Sequence, residues 1–254
     1  MAILKTEAIV LKGWKMGETS KIISFYTKDF GKVRAVAKGA RDIKSKFKGC
    51  LEPLTHVRII YYDKRTRDLQ LLSQIDLVEP HLGLIGHMEK TTLGLAAAEL
   101  IDRAVVGEES FPAIFDLLAD TLITLTESEG FLESVFWYFQ THFIGLMGYE
   151  PSWDACISCQ GSLGASGGYF QPESGGLFCE RCGNVRGGLK IRGETLEIMY
   201  WLQKCPSHEV SQLTPDPANI AEIRRMYEQY FRVHIEHLRK LRSLKLYYNL
   251  KQNG

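Results

Sequence analysis

Two pairs of cysteines have the spacing of a metal site. Cys156 and Cys159 form one CxxC pair, Cys179 and Cys182 form a second, and 19 residues separate the inner cysteines. Each pair can offer two thiolates from one tight turn, and structural Zn²⁺ takes four such ligands in a tetrahedron. The sequence therefore predicts one structural zinc ion per chain, with no open position for a catalytic water.

Other cysteine chemistries stay open. An iron–sulfur cluster also takes four cysteines, a redox-active CxxC pair is expected at a helix start, and disulfides suit a secreted chain. Paired spacing in glycine-rich loops favours zinc over these. Gly183 follows the second pair, where we expect a positive φ. Cys50 and Cys205 have no CxxC partner, and we expect both to be small buried apolar residues.

A dense run of basic residues lies between Lys28 and Lys48. It contains eight lysines and arginines, opposed only by Asp29 and Asp42. Such a cluster displaces counterions from a phosphate backbone and binds nucleic acid without reading its sequence; a solvated sheet edge that resists aggregation is the alternative. Unpaired bases can stack on aromatic side chains nearby, and strand alternation places about half of the candidates in the core. The candidates are Phe25, Tyr26, Phe47, Tyr61 and Tyr62.

The net charge of +1 conceals an uneven distribution. Residues 1–80 carry +7, residues 81–150 carry −9, residues 151–190 are neutral and residues 191–254 carry +3. This asymmetry favours segments with separate roles, one of them facing a polyanion; mutual neutralisation within one globule is the alternative. The composition excludes a wholly disordered, collagen-like or coiled-coil chain. No apolar stretch approaches the roughly 18–20 residues of a membrane span, and we expect a cytoplasmic protein.

The basic run lies among predicted strands. Five segments of the first 80 residues are rich in β-branched and aromatic residues, namely residues 6–11, 21–27, 32–37, 57–62 and 69–77. Gly31 can take positive φ in a hairpin turn between the second and third strands. The segment between the third and fourth strands, called the excursion below, is longer than the other connections and too polar to be core. Five strands with such a segment fit an OB-type barrel. An SH3-like barrel explains the pattern nearly as well.

Helical periodicity begins near residue 82. Predicted helices cover residues 84–105, 112–127, 131–147, 194–203 and 218–250. Ser110 is expected to cap the second of these helices and Pro112 to occupy its first turn. Four aromatic residues of the third helix are expected to pack in the core or against another subunit, namely Phe136, Trp137, Phe139 and Phe143. The fold class is multidomain α+β: an N-terminal OB-type barrel (1–80), an α-helical domain (81–150 and 191–254) and an inserted four-cysteine zinc module (151–190).

The last predicted helix carries three arginines at seven-residue intervals, Arg225, Arg232 and Arg239. Glutamates stand three or four residues before them, an arrangement that favours intrahelical ion pairs. These glutamates are Glu222, Glu228 and Glu236. A salt-bridged solvent face is therefore the favoured interpretation, and binding of DNA or of an acidic peptide is the alternative.

Motifs of common enzyme classes are missing from the sequence. There is no GxxxxGK[ST] phosphate loop, no HExxH and no GxGxxG after a predicted strand. A nuclease needs carboxylates that hold Mg²⁺ beside its phosphate-binding surface, and the acidic residues of the first segment are too scattered for that. We therefore expect a protein that is not an enzyme.

Several motifs together resemble the bacterial RecO family of recombination mediators. They are the TEAIVL strand at residues 6–11, the GE…I…FYT…GK hairpin, RAVAKGAR at residues 34–41 and LEP at residues 51–53. The resemblance spans essentially the whole chain and is specific in residues 5–60 and at the four cysteines. It implies an OB barrel, a helical domain and a zinc module, with no covalent chemistry.

The resemblance also implies partners and contact residues. The partners are single- and double-stranded DNA, RecR and the acidic C-terminal tail of single-stranded-DNA-binding protein (SSB), in a nucleoid-associated protein that anneals strands and helps RecA displace SSB. The implied DNA contacts are Lys32, Arg34, Lys38 and Arg41, extended by Lys44, Lys46 and Lys48. A pocket for the SSB tail needs basic residues, which places it near Arg239, Lys240 and Arg242.

Two other functions compete with this one. A zinc-ribbon accessory factor of transcription or RNA metabolism would share the cysteines and the basic barrel but lack annealing activity. A metal-dependent nuclease would shorten strands in the presence of Mg²⁺.

Overall fold

The computed structural model describes residues 2–64, 66–107, 109–163, 166–183, 188–235 and 241–253. They form two compact units. The first contains Met1–Glu127 and Leu241–Gly254, and the second contains Ser128–Lys240. The strands of the first 80 residues thus share a unit with helices that follow them and with the C-terminal helix. The three-part division at residues 80, 150 and 190 stays a prediction.

Five strands of the first unit curl into a barrel. They are β1 (Ala2–Met16), β2 (Ser20–Thr27), β3 (Gly31–Ala37), β4 (His56–Asp63) and β5 (Gln70–Glu79). They pair in the cyclic order β1-β2-β3-β5-β4, which closes through a parallel contact of only two residue pairs between β3 and β5. All five predicted strands are present, and β1 runs further at both ends. Gly31 has a φ of 62°, as expected for the hairpin turn.

The barrel core follows strand alternation. Val33, Ala35 and Ala37 of β3 are buried, whereas Arg34 between them is exposed. The excursion between β3 and β4 also contributes to the core, since Phe47 is only 2% exposed and packs with the barrel interior. The expectation that this excursion is too polar to be core is therefore wrong in part: its lysines face solvent while its aromatic ring is buried against the strands.

Three helices complete the first unit, α1 (Met88–Ala104), α2 (Pro112–Glu127) and α7 (Arg242–Asn253). The buried Asp102 carboxylate ties α1 to the barrel, because it accepts a hydrogen bond from the Ser24 hydroxyl at 2.9 Å and pairs with Lys12 at 2.6 Å. Pro112 begins α2 as predicted. The predicted Ser110 cap is wrong, because its hydroxyl donates to the Lys28 carbonyl at 2.9 Å instead.

The second unit combines helices with a small sheet. Its elements are α3 (Glu133–Leu146), β6 (Gly168–Gln171), β7 (Gly176–Phe178), α4 (Glu180–Gly183), β8 (Leu189–Ile191), α5 (Gly193–Leu202) and α6 (Pro217–His234). The sheet has the order β7-β6-β8. The four aromatic residues predicted to be core in α3 are all buried. Within the described ranges, none of the helices has the length and apolar character that a bilayer crossing requires.

The single helix predicted over residues 218–250 is wrong. Helix α6 ends at His234, the next residue is extended, and α7 begins at Arg242. The first backbone N–H groups of a helix have no partner inside it, and here the Glu99 carboxylate accepts those of Arg242 at 3.1 Å and Ser243 at 2.9 Å. This cap from α1 fixes a separate helix start that the apolar periodicity of the segment does not reveal.

Candidate metal centre and nucleic-acid interface

The four cysteines predicted to hold zinc lie together in the second unit. The Sγ atoms of Cys156, Cys159, Cys179 and Cys182 all lie within 4.8 Å of one another, and those of Cys159 and Cys179 are 3.8 Å apart. Four thiolates at about 2.3 Å from a zinc ion lie about 3.8 Å from each other in a tetrahedron. The donor set and its dimensions therefore fit zinc, and four sulfur ligands leave no coordination position for a substrate.

The first cysteine pair lies in a tight turn fastened to the small sheet. The backbone N–H of Gln160 donates to the Cys156 carbonyl at 2.8 Å, which closes the turn. The N–H of Ile157 donates to the Leu177 carbonyl of β7 at 2.9 Å. Because β7 leads directly into the second pair, this bond holds the two turns side by side. Gln160 has a φ of 60°, an uncommon value for a residue with a Cβ atom.

The second cysteine pair is closed by Gly183, for a reason that differs from the expected one. The N–H groups of Cys182 and Gly183 both donate to the Cys179 carbonyl, at 3.0 and 2.8 Å. Gly183 is helical and buried, so the expectation of a positive φ is wrong. A Cβ atom at this position would lie 2.6 Å from Cδ2 of Tyr169. Glycine is therefore required by the close approach of the Tyr169 ring.

The environment of the sulfur atoms favours thiolates at some positions and resists them at others. Burial raises the pKa of the Cys156 thiol, but backbone N–H donors of the two turns outweigh burial and lower this pKa to about 6. The pKa of Cys182 is raised to about 11, because its thiol donates to the neighbouring Cys179 and Cys159 sulfur atoms. Four adjacent thiolates repel one another, and a bound dication would offset that repulsion.

Sequence reasoning missed Arg181, which lies between the two cysteines of the second pair. The interaction of its guanidinium group with the Cys159 and Cys182 sulfur atoms raises the pKa of Arg181. A zinc ion with four thiolates carries a net charge of −2, so a cation at this place offsets part of the excess negative charge. The only signal in the sequence is that the residue lies inside a CxxC motif.

Six of the seven basic residues predicted to contact DNA are exposed on the first unit. They are Arg34, Lys38, Arg41, Lys44, Lys46 and Lys48, called the basic surface below. Arg34 lies on β3, and the other five lie in the excursion between β3 and β4. In the described part of the chain, no carboxylate forms an ion pair with any of the six side chains. Their positive charge is therefore not compensated by any described carboxylate.

Two members of the basic surface hold the excursion in place. The Arg41 guanidinium donates to the backbone carbonyls of Gly17 at 3.1 Å and Glu18 at 2.6 Å, in the turn between β1 and β2. The Lys46 ammonium donates to the Ser73 carbonyl of β5 at 2.6 Å. Carbonyl acceptors orient these groups without removing their net charge. The excursion is thereby fastened to the barrel with its cations facing solvent.

Lys32 differs from the other six residues because its ammonium group is engaged inside the first unit. It donates to the carbonyls of Asp102 at 2.7 Å and Val105 at 2.5 Å, at the C-terminal end of α1. The side chain is half-buried, and burial lowers the pKa of Lys32. A lysine that binds the last carbonyls of a helix stabilises that helix end. Direct contact of Lys32 with DNA stays a prediction.

Most of the aromatic candidates for base stacking are buried. Phe25, Tyr26, Phe47 and Tyr61 are at most 2% exposed, and Tyr62 is half-buried. More of these residues lie in the core than the expected half, because β2 is covered on both faces. Its outward-facing Tyr26 donates a hydrogen bond to a carbonyl just before α2, at 3.3 Å. Alternation predicts one solvent face, whereas packing of the helices removes it here.

Trp14 is an exposed aromatic residue that sequence reasoning missed. It lies on the part of β1 beyond the predicted strand end and is 39% exposed. The Lys12 ammonium lies 5.5 Å from the centre of its ring. An exposed indole offers a stacking surface, although the Lys12 ammonium beside it pairs with Asp102. The signal in the sequence was a tryptophan two residues after Lys12, a spacing that places both side chains on one face of a strand.

The intrahelical ion pair expected between Glu222 and Arg225 of α6 is not formed. Glu222 instead binds the Arg192 guanidinium at 3.1 Å and accepts a hydrogen bond from the Thr195 hydroxyl at 2.6 Å. Arg225 and Arg232 are exposed, and neither guanidinium group has a hydrogen-bonding or ionic partner among the described residues. The favoured interpretation of a salt-bridged face is therefore wrong for the described part of this helix.

The predicted partner-binding residues are only partly described. Arg239 and Lys240 lie outside the described residues. Arg242 is exposed at the first position of α7, where its backbone N–H bonds to Glu99. The position of the SSB-tail pocket therefore stays a prediction.

The two lone cysteines differ in burial. Cys205 is buried, and burial raises its pKa to about 11, as expected for an inert packed thiol. Cys50 is only half-buried at the edge of the barrel core, so the expectation of full burial is wrong there.

Comparisons with known proteins match the whole chain. The family model described as "Recombination protein O N terminal" matches residues 1–81, and "Recombination protein O C terminal" matches residues 86–245. The chain is 30% identical over 256 residues to "DNA repair protein RecO" of Chloroherpeton thalassium, covering 98% of this chain and 99% of that protein. Proteins of the same name from Pelotomaculum thermopropionicum (30% over 255 residues; 100% and 96% covered) and Dehalococcoides mccartyi (30% over 200 residues; 79% and 78% covered) are also similar.

Proposed function

Since this chain belongs to the recombination protein O (RecO) family, we propose that it is a DNA-binding recombination mediator and not an enzyme. It anneals complementary single strands and, with RecR and SSB, helps to load RecA in recombinational gap repair. The observation that carries this proposal is the basic surface, six exposed cations without a carboxylate partner in the described part of the chain.

The basic surface has the chemistry of a backbone-binding site. Arg and Lys side chains that replace counterions on a phosphate backbone gain binding energy from the ions they release. Because none of the six cations is ion-paired to a described carboxylate, none has to break an internal ion pair first. Backbone binding of this kind serves single and double strands alike, which suits a protein that must act on strands of any sequence.

The barrel is proposed to be of the OB type. Its support is the number of strands, the short parallel contact between β3 and β5, and the long excursion between β3 and β4. Such barrels bind single strands with a positively charged groove and stacking side chains. Trp14 beside Lys12 offers one such side chain on β1.

Annealing needs screening of the phosphates more than it needs bond chemistry. Two complementary strands repel one another through their backbones, and a cationic surface that holds the phosphates reduces this repulsion while leaving base edges free. No step requires nucleotide hydrolysis, in keeping with the absence of a phosphate-loop motif from the sequence.

Zinc is proposed as a structural cofactor, held by Cys156, Cys159, Cys179 and Cys182. When bound, it would supply a four-way cross-link between two turns and no reactive coordination site. The Gly183 packing on Tyr169 and the Ile157–Leu177 hydrogen bond bring the turns together. The tail of SSB is proposed to bind near Arg242, with Arg239 and Lys240.

The proposal is tested by strand annealing. Complementary oligonucleotides coated with SSB are mixed without nucleotide, and duplex formation is followed by fluorescence after the protein is added. We expect the parent chain to accelerate duplex formation. The acceleration by Arg34→Ala/Lys38→Ala should be at least several-fold smaller. Adding RecR and RecA to gapped DNA then tests RecA loading in the same material.

A matched control is Lys5→Ala/Lys64→Ala, which removes two exposed cations of the same unit outside the basic surface. It should anneal like the parent. No acceleration by the parent chain would favour an accessory factor, and Mg²⁺-dependent strand shortening would favour a nuclease; either result contradicts the proposal. Equal loss of activity in both double variants would place the DNA site elsewhere.

A further inference from the structure

The second unit contains a polar cavity of about 510 Å³ that the proposed function does not use. It lies where the end of β6 and strand β8 face helix α6. The residues that matter here are Pro172, Leu189, Lys190, Arg225, Gln229 and Arg232. Its volume lies within the range of about 300–1,000 Å³ that small-ligand sites occupy.

The positive charge of this cavity comes from two unpaired arginines. Arg225 and Arg232 lie two turns apart on α6, both exposed, without a partner among the described side chains. Glu222 cannot neutralise Arg225, because it already binds Arg192. Lys190 also lines the cavity, although Glu180 lies 3.7 Å from its ammonium group. Glu173 is the one carboxylate among the cavity-lining residues of the described chain, so the charge stays positive.

The remaining lining combines an amide with apolar surface. Gln229 lies between the two arginines on the same side of α6, at positions i+4 and i−3 from them. Its carboxamide has no hydrogen-bonding partner among the described side chains. Pro172 and Leu189 contribute apolar atoms from the opposite wall. Guanidinium groups, a free amide and apolar surface are thus presented to one groove that is open to solvent.

This combination matches a nucleotide unit better than a simple anion. Guanidinium groups bind phosphate through paired hydrogen bonds, a carboxamide can bond to a base edge, and apolar atoms can cover a base face. An acidic peptide would also use the arginines, and its backbone amides could bond to the carboxamide, but it would bring no flat base to the apolar surface. A duplex keeps its bases stacked and paired, so only an unpaired nucleotide can present its base to this groove together with its phosphate.

We propose that the cavity between β8 and α6 binds one unpaired nucleotide of a DNA strand, with Arg225 and Arg232 on its phosphates and Gln229 on the base. This inference rests on the proposed function, and gives the chain a second strand contact besides the basic surface. A protein that anneals two strands gains from two contacts, since each can hold a different backbone.

The test compares single-stranded and duplex DNA in binding titrations with the full chain. Fluorescence anisotropy of a labelled oligo-dT is recorded from 50 to 300 mM salt for the parent and for Arg225→Ala, Arg232→Ala, the double variant and Gln229→Ala. Each phosphate contact contributes about 0.7 to the magnitude of the log–log salt slope on single strands. We expect a decrease of about 1.4 in the double variant, weaker binding without a slope change in Gln229→Ala, and duplex affinity closer to the parent's.

Lys204→Ala is the matched control, because Lys204 is an exposed cation of the same unit that does not line the cavity. Zinc content and circular dichroism should match the parent in every variant, since neither arginine holds another described side chain. An unchanged slope in the double variant, or an equal change in Lys204→Ala, overturns the inference. If the arginine double variant loses binding to an acidic octapeptide but keeps the DNA affinity of the parent, the cavity binds peptides and the inference is overturned.

The two proposals fail differently. If the parent chain does not bind single strands at all, the proposed function itself fails. If the parent binds and Arg34→Ala/Lys38→Ala weakens binding while the arginine double variant does not, only the cavity inference fails.

Discussion

Replacing Lys32 with methionine separates a structural lysine from a DNA-binding one. The Lys32 ammonium donates to two carbonyls at the end of α1, at 2.7 and 2.5 Å. A hydrogen bond from a charged donor stabilises a fold by about 1.5–3 kcal/mol, while the partial burial that lowers the pKa of Lys32 offsets part of this gain. Methionine keeps the apolar stem and leaves two carbonyls without their donor. We expect Lys32→Met to lower the free energy of unfolding by about 2 kcal/mol.

Urea unfolding measures this change, and Lys38→Met is the matched control because Lys38 is exposed without a described partner. The control should change stability by less than about 0.5 kcal/mol while reducing the salt slope of single-strand binding by about 0.7. Lys32→Met should leave that slope unchanged. The reasoning is refuted if Lys32→Met is as stable as the parent and its salt slope falls like that of the control.

Three further predictions concern the metal centre and the barrel. Elemental analysis of protein purified without added metal should find about one zinc per chain. The Cys179→Ser variant should lose zinc, and its second unit should be less stable. A parent chain that is fully folded without metal would contradict this. Gly183→Ala should weaken zinc retention against a chelator and cost about 1–3 kcal/mol, because its Cβ atom would lie 2.6 Å from Tyr169; wild-type retention would show that the ring yields. Burial lowers the pKa of His56 and His81, so the unfolded chain binds more protons below about pH 6.5 and stability should fall as the pH decreases from there. His81→Asn, which suits the φ of 49°, should flatten that dependence in urea titrations from pH 5.5 to 7.5, and a parallel curve would contradict it.

The sequence predicts the strands and the metal ligands because their signals are local. Alternation over a few residues identifies β3, and Gly31 marks the hairpin turn before it. The four cysteines are recognisable because a CxxC turn presents both sulfur atoms by itself. One long-range fact is needed besides, that the first turn bonds to β7 through Ile157 and Leu177, to bring the two turns together.

Features that depend on distant side chains were not predictable in this way. The start of α7 is set by Glu99 of α1, so periodicity over residues 218–250 gave one helix instead of two. Glu222 binds Arg192 instead of the arginine three residues after it, which leaves Arg225 available to the cavity. In the sequence, Lys32 is one more cation of a basic run. Only the position of α1 shows that its ammonium group is bonded to backbone carbonyls of that helix.

The salt dependence of single-strand binding tests the central claim most directly. The six cations of the basic surface, at about 0.7 each, contribute about −4 to the log–log slope if all of them contact phosphates, and Arg34→Ala/Lys38→Ala should reduce the magnitude of the slope by about 1.4. Anisotropy of labelled oligo-dT with the folded, zinc-loaded chain provides both values. A slope near zero, or one that the double variant leaves unchanged, would contradict the account that these exposed cations hold the DNA backbone.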